Sequence, residues 1–334
     1  MMKIVVLGSG AWGTALSMLL TDNGHAVTLW NRSPQRAADM AATRCNPRLK
    51  GIELPAALQY TADLSVLREA DMVLFVVPSF AMRETAAAAA PHIRPGTLLV
   101  SASKGVEEGS YLRMTEILHA VVGKDCPVVS LSGPSHAEEV CRRMPTGVVA
   151  ASEDREAAER TQDIFMSTMF RVYTNSDVAG VELCGALKNV VALGCGLVDG
   201  LGYGDNSKAL LITRAMNEAG ELCVRAGGKI RTCAGLGGVG DLIATCMSPH
   251  SRNRTAGVLL GQGVPVAEAL RQVGAVVEGY YAAASLRGMG ERLGVNMPIC
   301  SCIYEMLYEG FPPEGSIRRL MERDRKEEFR DMVW

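Results

Sequence analysis

The sequence carries almost no charge imbalance: Lys and Arg total 34 against 36 Asp and Glu, a formal net charge of −2. A chain so balanced has no general attraction for nucleic acid or an anionic membrane, although a local basic cluster could still hold a small anion. There is no C-x-x-C pair among the ten cysteines, which fall at 45, 126, 141, 184, 195, 223, 233, 246, 300 and 302. Several lie inside apolar helical patterns, so buried free thiols in a reducing cytosol are expected, and no metal site. No apolar run reaches bilayer length. The most apolar stretch, Leu183 to Val198, is too short to span and carries Lys188 and Asn189, so it reads as a buried core helix. The opening MMKIVVLGSG lacks the long apolar region and cleavage site of an export signal, and a cytoplasmic location is expected. No internal repeat at a fixed period is seen.

What is present is ordinary globular composition. With 48% hydrophobic and 21% charged residues, a disordered, collagen-like or small disulfide-stapled chain is excluded, and 334 residues suffice for about two domains. In the first half, short β-branched runs at Lys3–Leu7, Ala26–Trp30, Met72–Val77, Thr97–Ser101, Val128–Leu131, Gly147–Ala150 and Phe170–Thr174 alternate with helical patterns. The helical patterns are Thr14–Asn23, Pro34–Thr43, Ala81–Ala90 and Tyr111–Val122. That rhythm predicts a doubly wound, mostly parallel α/β sheet. After Asp177 the strand signal stops. Ala-, Leu-, Gly- and Met-rich segments follow, punctuated by glycine clusters at 200–204, 235–240 and 261–263, which predicts an all-helical second domain. The expected division is 1–176 and 177–334. The charged run from Arg318 to Arg330 reads as a solvated terminal helix.

Gly8-Ser9-Gly10-Ala11-Trp12-Gly13 follows the first strand directly and opens an apolar helix. Gly8, Gly10 and Gly13 in that setting permit a tight turn and close backbone approach, and the helix N-terminus faces a pyrophosphate, the arrangement of a Rossmann-type dinucleotide site. The residue that chooses the cofactor should follow the second strand, where the chain reads Asn31-Arg32-Ser33. A guanidinium and no carboxylate favours the 2′-phosphate of NADP(H) over the 2′-hydroxyl of NAD(H).

Further polar stretches follow later strands. Lys104, within Ser101–Gly105, could hold a substrate oxygen or phosphate. Gly133 and Ser135 could offer backbone and hydroxyl, although Ser-Gly-Pro-Ser also suits a plain turn. Lys188 has Cys184, Gly185, Val191 and Ala192 as helical neighbours, an apolar surrounding in which desolvation lowers a lysine's pKa and lets it pass a proton to a carbonyl oxygen. Its alternative is an amine reaching into water. Asp241, delivered by the glycines before it, could orient Lys188 or a substrate hydroxyl, or cap its helix. Ser251, Arg252 and Asn253 stand before a helical segment and could bind a phosphate dianion. Val276-Val277-Glu278-Gly279 says little by spacing alone.

Taken in order, G-S-G-A-W-G-T-A-L, A-S-K-G, L-S-G-P-S-H-A-E-E-V, G-V-E-L-C-G-A-L-K-N-V, D-G-L-G-Y-G-D-N, G-V-G-D-L, S-R-N-R, V-V-E-G and M-P-I resemble the bacterial-type NAD(P)-dependent glycerol-3-phosphate dehydrogenases over nearly the whole chain. The resemblance implies reversible reduction of dihydroxyacetone phosphate to sn-glycerol 3-phosphate for glycerophospholipid synthesis, with Lys188 as proton donor and acceptor. It implies substrate contacts at Lys104, Gly133, Ser135, Lys188, Asp241, Ser251, Arg252 and Asn253. It implies cofactor contacts at Ala11, Trp12, Arg32, Ser33, Lys104, Ala137, Arg252, Val276 and Glu278. The chain departs from the family pattern at Ala11, usually Ser, at Gly237, where the family has Ala, and at Cys45–Gly51, from which no cofactor contact is carried over. A large apolar helical half is compatible with a homodimer.

Overall fold

A run such as Ile4-Val5-Val6-Leu7, apolar at every position, is buried fully only where both faces of a sheet are covered, and parallel strands with helices on each side meet that condition. The structure, a computed structural model, describes residues 1–325 together with 327 and 328. Among them are eight strands: β1 (Lys3–Leu7), β2 (Ala26–Trp30), β3 (Gln59–Thr61), β4 (Met72–Phe75), β5 (Leu98–Ser101), β6 (Val128–Ser132), β7 (Thr146–Ala151) and β8 (Phe170–Asn175). They form one sheet in the order β3-β2-β1-β4-β5-β6-β7-β8, parallel throughout except for the β6–β7 pair. Strands β4, β5 and β6 are buried at every residue. The order reverses between β1 and β4, so the carboxyl ends of those two strands open a crevice there.

Helices α1 (Ala11–Asp22), α2 (Pro34–Thr43), α3 (Met82–Ala89), α4 (Met114–Val122), α5 (Ala137–Cys141) and α6 (Arg155–Phe165) accompany the sheet. One core lies on each sheet face, around Leu16, Leu29 and Phe165 on one side and Phe75, Leu99 and Ile117 on the other. The remaining helices are α7 (Val178–Gly200), α8 (Asp205–Arg225), α9 (Ile230–Cys233), α10 (Asp241–Met247), α11 (Arg252–Gly261), α12 (Val266–Val273), α13 (Glu278–Leu293), α14 (Pro298–Tyr308) and α15 (Pro313–Met321).

The axis of the helical half is α7. It is long and apolar enough to cross a membrane by length and composition, yet it is buried within the protein. Its N-cap Asp177 accepts bonds from Gly180 N, Lys229 N and Thr232 Oγ1. Glu182, on its first turns, accepts from Thr115 N, Thr115 Oγ1 and Arg113 Nη1, which fastens α7 to the start of α4. Burial pushes the Glu182 carboxyl up, against the pull of Arg113 and the Thr115 bonds. Farther along, α7 meets α11 with backbone against backbone: a Cβ on Gly196 would lie 2.0 Å from Arg254 O, and one on Gly257 would lie 2.0 Å from Leu193 O. Only glycine permits that approach.

Several expectations are corrected. Strand β3 has no apolar pattern to announce it, since it is a three-residue edge strand. Tyr111 does not begin a helix; it lies at φ 60°, and α4 starts three residues later. Gly200 and Gly261 are helical, placed at the α7–α11 crossing and not in breaks between elements. Among the described residues the charged tail is helical only to Met321, with Glu322 capping the end. Lys326 and the residues from Phe329 onward in that expected helix lie outside the described ones.

The crossing makes a stability prediction. Gly257→Ala should lower the unfolding free energy by about 1–3 kcal/mol or more through overpacking, read as a fall in the urea midpoint. Gly147→Ala, where an added Cβ makes only an ordinary 3.6 Å contact with Leu236, should leave the midpoint unchanged or slightly raised. Equal losses at both positions would remove the α7–α11 contact as the cause.

Candidate active site

The glycine-rich turn forms at the carboxyl end of β1. Gly8 has φ 117°, and an added Cβ would lie 2.3 Å from Val76 O, so this position takes no side chain. Gly13 is equally confined, its added Cβ lying 1.9 Å from Gly8 O. Gly10 is the N-cap of α1, has no side-chain capping bond, and has open space where a Cβ would be. The first bond of the helix comes from Thr14 N to Gly10 O, which leaves the N–H groups of Ala11, Trp12 and Gly13 for an anion. The Trp12 indole Nε1 is buried without a partner among the described residues. Free backbone donors at a helix start, a glycine cradle and an orphaned indole N–H fit a pyrophosphate-bearing dinucleotide.

Asn31, after β2, donates from Nδ2 to Ser9 Oγ at 2.5 Å and accepts from Ser33 N, so the end of β2 is tied to the glycine turn. Ser33 caps α2 through Arg36 N, while Arg32 is exposed and has no hydrogen-bond partner among the described residues. Asn46, from the divergent loop, is buried and donates to Ser9 O at 3.1 Å and Thr14 Oγ1 at 2.7 Å, clamping the same turn from the other side.

Farther along the crevice, three charged side chains from three segments converge. Lys104 follows β5, Lys188 lies midway along α7, and Asp241 opens α10. Lys188 Nζ donates to Asp241 Oδ1 at 2.6 Å and to Thr245 Oγ1 at 2.8 Å. Lys104 Nζ donates to Asp241 Oδ2 at 2.5 Å and to Gly133 O at 3.1 Å. All three side chains are largely buried, Asp241 at 2% exposure. One carboxylate answers two ammonium groups, so the cluster keeps a net positive charge out of water. Burial pulls the Lys104 ammonium down to about 8, with Lys188 adding to the effect and Asp241 opposing it. Burial alone would raise Asp241, but Lys104 and Lys188 together hold its carboxyl below the usual range. Gly185, one turn before Lys188, leaves room for the Lys104 stem and Ser132 Oγ, which would lie 3.7 and 3.2 Å from a Cβ there.

Gly133 has φ 140°, and its carbonyl accepts from both Lys104 and Ser135 Oγ. Ala137 is the buried first residue of α5, and His136 before it contacts Ala244 O on α10 at 3.1 Å. Ser251 caps α11 by accepting from Arg254 N. Asn253 is buried; its Nδ2 donates to Asn189 Oδ1 and its Oδ1 accepts from Gly279 N, so it anchors the head of α11 to the turn carrying Lys188. Arg252 stays exposed, close enough to Glu278, Arg48 and Glu138 to be influenced by their charges. Glu278, first residue of α13, accepts from Ser79 N and Ser79 Oγ beyond β4, and Val276 lies half-buried two residues before it. Burial pushes the Glu278 carboxyl up against those bonds and Arg252.

The structure thus brings Lys104, Gly133, Ser135, Lys188 and Asp241 into one hydrogen-bonded cluster. Ser251–Asn253 and Glu278 adjoin it, and the glycine turn and Arg32 lie at the other end of the sheet crevice. Two alternatives fall away. Lys188 does not reach into water but is buried against Asp241, and Asp241 does not cap α10, because Gly240 occupies the cap and the carboxylate turns to the lysines. Sequence reasoning missed Thr245, Asn189 and Ser79. Thr245 stands four residues after Asp241 on one helix and could have been found by that spacing; Ser79 joins a distant segment and gave no such signal.

A dinucleotide turn on a doubly wound sheet, joined to a lysine–carboxylate centre in a helical half, defines a nicotinamide-dependent oxidoreductase acting on a CH–OH group. Family models described as the NAD-dependent glycerol-3-phosphate dehydrogenase N-terminus and C-terminus match residues 3–158 and 177–318. The chain is similar to a glycerol-3-phosphate dehydrogenase [NAD(P)+] of Moorella thermoacetica, 48% identical over 334 residues and covering 99% of each chain. A Desulfitobacterium hafniense relative of the same description is 46% identical, covering 100% of this chain and 95% of its own. The solved structure of glycerol-3-phosphate dehydrogenase from Coxiella burnetii superposes with a TM-score of 0.93 at 37% identity, covering 96% of this chain and 99% of that one. The chain belongs to the NAD-dependent glycerol-3-phosphate dehydrogenase family.

Lys104 predicts a pH dependence of stability. Its native ammonium loses its proton near 8 while the unfolded chain keeps it to about 10.5, so the unfolded state binds more protons between those values and stability gains with rising pH across that window. The whole displacement is worth on the order of 3 kcal/mol. Urea unfolding of wild type and Lys104→Met from pH 7.5 to 10 should show this gain in wild type alone; parallel curves would assign it elsewhere.

Proposed function

We propose that the chain reduces dihydroxyacetone phosphate reversibly to sn-glycerol 3-phosphate, preferring NADP(H) while accepting NAD(H), as the supply step for glycerophospholipid synthesis. The observation that carries this reading is the buried carboxylate of Asp241 shared by Lys104 and Lys188. Gly8, Gly10, Ala11, Trp12 and Gly13 hold the pyrophosphate side of the dinucleotide, Arg32 and Ser33 its adenosine phosphate. Lys104, Ala137, Arg252, Val276 and Glu278 border its nicotinamide side. When bound, the reduced nicotinamide supplies a hydride to the ketone carbon.

The chain's own groups do the rest. Lys188, aimed by Asp241 and Thr245, delivers a proton from Nζ to the ketone oxygen and recovers it in the reverse direction. Lys104 places a second positive charge where negative charge develops on that oxygen. Gly133 and Ser135 border the substrate next to Lys104. Arg252 and Ser251, with the first N–H groups of α11, grip the phosphate dianion, and Asn253 keeps them in register with Lys188. The division of labour follows a boundary at 176/177, with cofactor held mainly before it and substrate mainly after it. The ten unpaired thiols, nine of them buried, accord with a reducing cytoplasm, and the exposed Ile230, Ile243 and Met247 accord with a homodimer.

NADPH oxidation with dihydroxyacetone phosphate is the deciding assay. Lys188→Ala should lower turnover by about two powers of ten or more while NADPH affinity is kept, because the lysine belongs to α7 and the glycine turn to the sheet half. Retention of more than about a tenth of turnover at saturating substrate would make Lys188 structural.

Arg252→Ala should lower kcat/KM for dihydroxyacetone phosphate by roughly ten- to two-hundred-fold, the loss of a charge-assisted contact of about 1.5–3 kcal/mol. Unphosphorylated dihydroxyacetone, a poor substrate, should be turned over at nearly the same low rate by both proteins. If both substrates lose the same factor with NADPH affinity intact, the phosphate is read at Lys104 and Ser135 instead.

A further inference from the structure

One turn before Lys188 on α7, three cysteine sulfurs meet. Cys184 on α7, Cys223 on α8 and Cys233 on α9 are all buried. Cys184 Sγ lies 3.5 Å from Cys233 Sγ and 3.9 Å from Cys223 Sγ, and all three sulfurs lie within 4.8 Å of one another. A pyramidal three-sulfur centre with bonds of about 2.3 Å and angles of about 95–100° holds its sulfurs about 3.4–3.5 Å apart, so the Cys184–Cys233 pair already stands at that spacing and Cys223 has only to draw in. Among the described residues no fourth cysteine, histidine or carboxylate donor joins it. The Asp177 carboxylate is committed to Gly180 N, Lys229 N and Thr232 Oγ1.

We propose that Cys184, Cys223 and Cys233 form a binding site for a trivalent thiophilic centre, of which arsenous acid is the simplest. Charge selects the valence. Three thiolates on a monovalent or divalent ion leave a net negative charge in a buried pocket that already adjoins Asp177, a costly arrangement. With arsenous acid, neutral reactants give a neutral product. Three S–H and three As–O bonds break, three As–S and three O–H bonds form, and three waters leave; arsenic stays trivalent and no oxidant is needed. Access comes through Cys233, which lies on a four-residue helix between the exposed Arg231 and Ala234, so local opening of that segment admits the ligand and uptake is slow. Once bound, the ligand ties together α7, α8 and α9, and so the frame that carries Lys188 and leads to Asp241.

The test uses the full chain, reduced and with NADPH bound, incubated with sodium arsenite. Native mass spectrometry should show one arsenic per chain, and X-ray absorption at arsenic should show three sulfur neighbours and no oxygen. Thermal melting should move upward with arsenite concentration. Cys233→Ala and Cys223→Ala should each weaken uptake by about a hundredfold through loss of chelation, with turnover of dihydroxyacetone phosphate reporting that each variant is folded. Two sulfurs and one oxygen at arsenic would overturn the proposal in favour of a two-thiol site such as the neighbouring Cys195 and Cys246. Absence of uptake by wild type would overturn it outright, and tighter retention of zinc(II) or copper(I) than of arsenite would overturn the charge argument.

Discussion

A single carboxylate shared between two buried ammonium groups is the constraint around which the molecule is arranged. Such a cluster is stable only if each oxygen of Asp241 keeps its own lysine, and removing one partner of a buried pair typically costs about 3–5 kcal/mol. Lys104 comes from the sheet, Lys188 from the core of the helical half and Asp241 from the end of a glycine-rich turn. The two halves must therefore be held in one relation. The Glu182 bonds to Thr115 and Arg113, the Glu278 bonds to Ser79 and the contact of His136 with Ala244 do that holding. On the proposed function, the positive charge left over supplies the field that a ketone oxygen needs as it becomes an alkoxide.

The division between rigid and open parts follows. The residues that hold position are buried and fully bonded: Asn46 beneath the glycine turn, Asn253 between α7 and α13, Asp177 at the head of α7. The groups proposed to meet ligands have donors unspent: the first N–H groups of α1, the Trp12 indole, and the exposed guanidinium groups of Arg32 and Arg252.

Much of this was legible in the sequence because it is local. The apolar runs of β1, β4 and β5, the glycine turn and the lone Lys188 in an apolar helix each declare themselves within a dozen residues. Asp241 was legible as a charge at a helix start, although not its choice between cap and lysines, which tertiary packing decides. What stayed hidden is non-local. Ser79 meets Glu278 across 199 positions, and Gly257 reads as ordinary until α7 is laid against it. The three thiols share no linear motif, since they come together from three helices. Strand β3 failed for the opposite reason: it is edge, short and polar, with too little burial to leave a pattern.

The glycine crossing of α7 and α11 also acts as a gauge. Lys188 stands on one helix and the head of α11, proposed to grip the phosphate, belongs to the other. With backbone pressed on backbone and Asn253 bonded to Asn189, neither can slide. On the proposed roles, the span from proton donor to phosphate is a fixed length, and a substrate is measured against it: a ketone one carbon farther from its phosphate would present its oxygen past the lysine, out of register with the Lys188 ammonium.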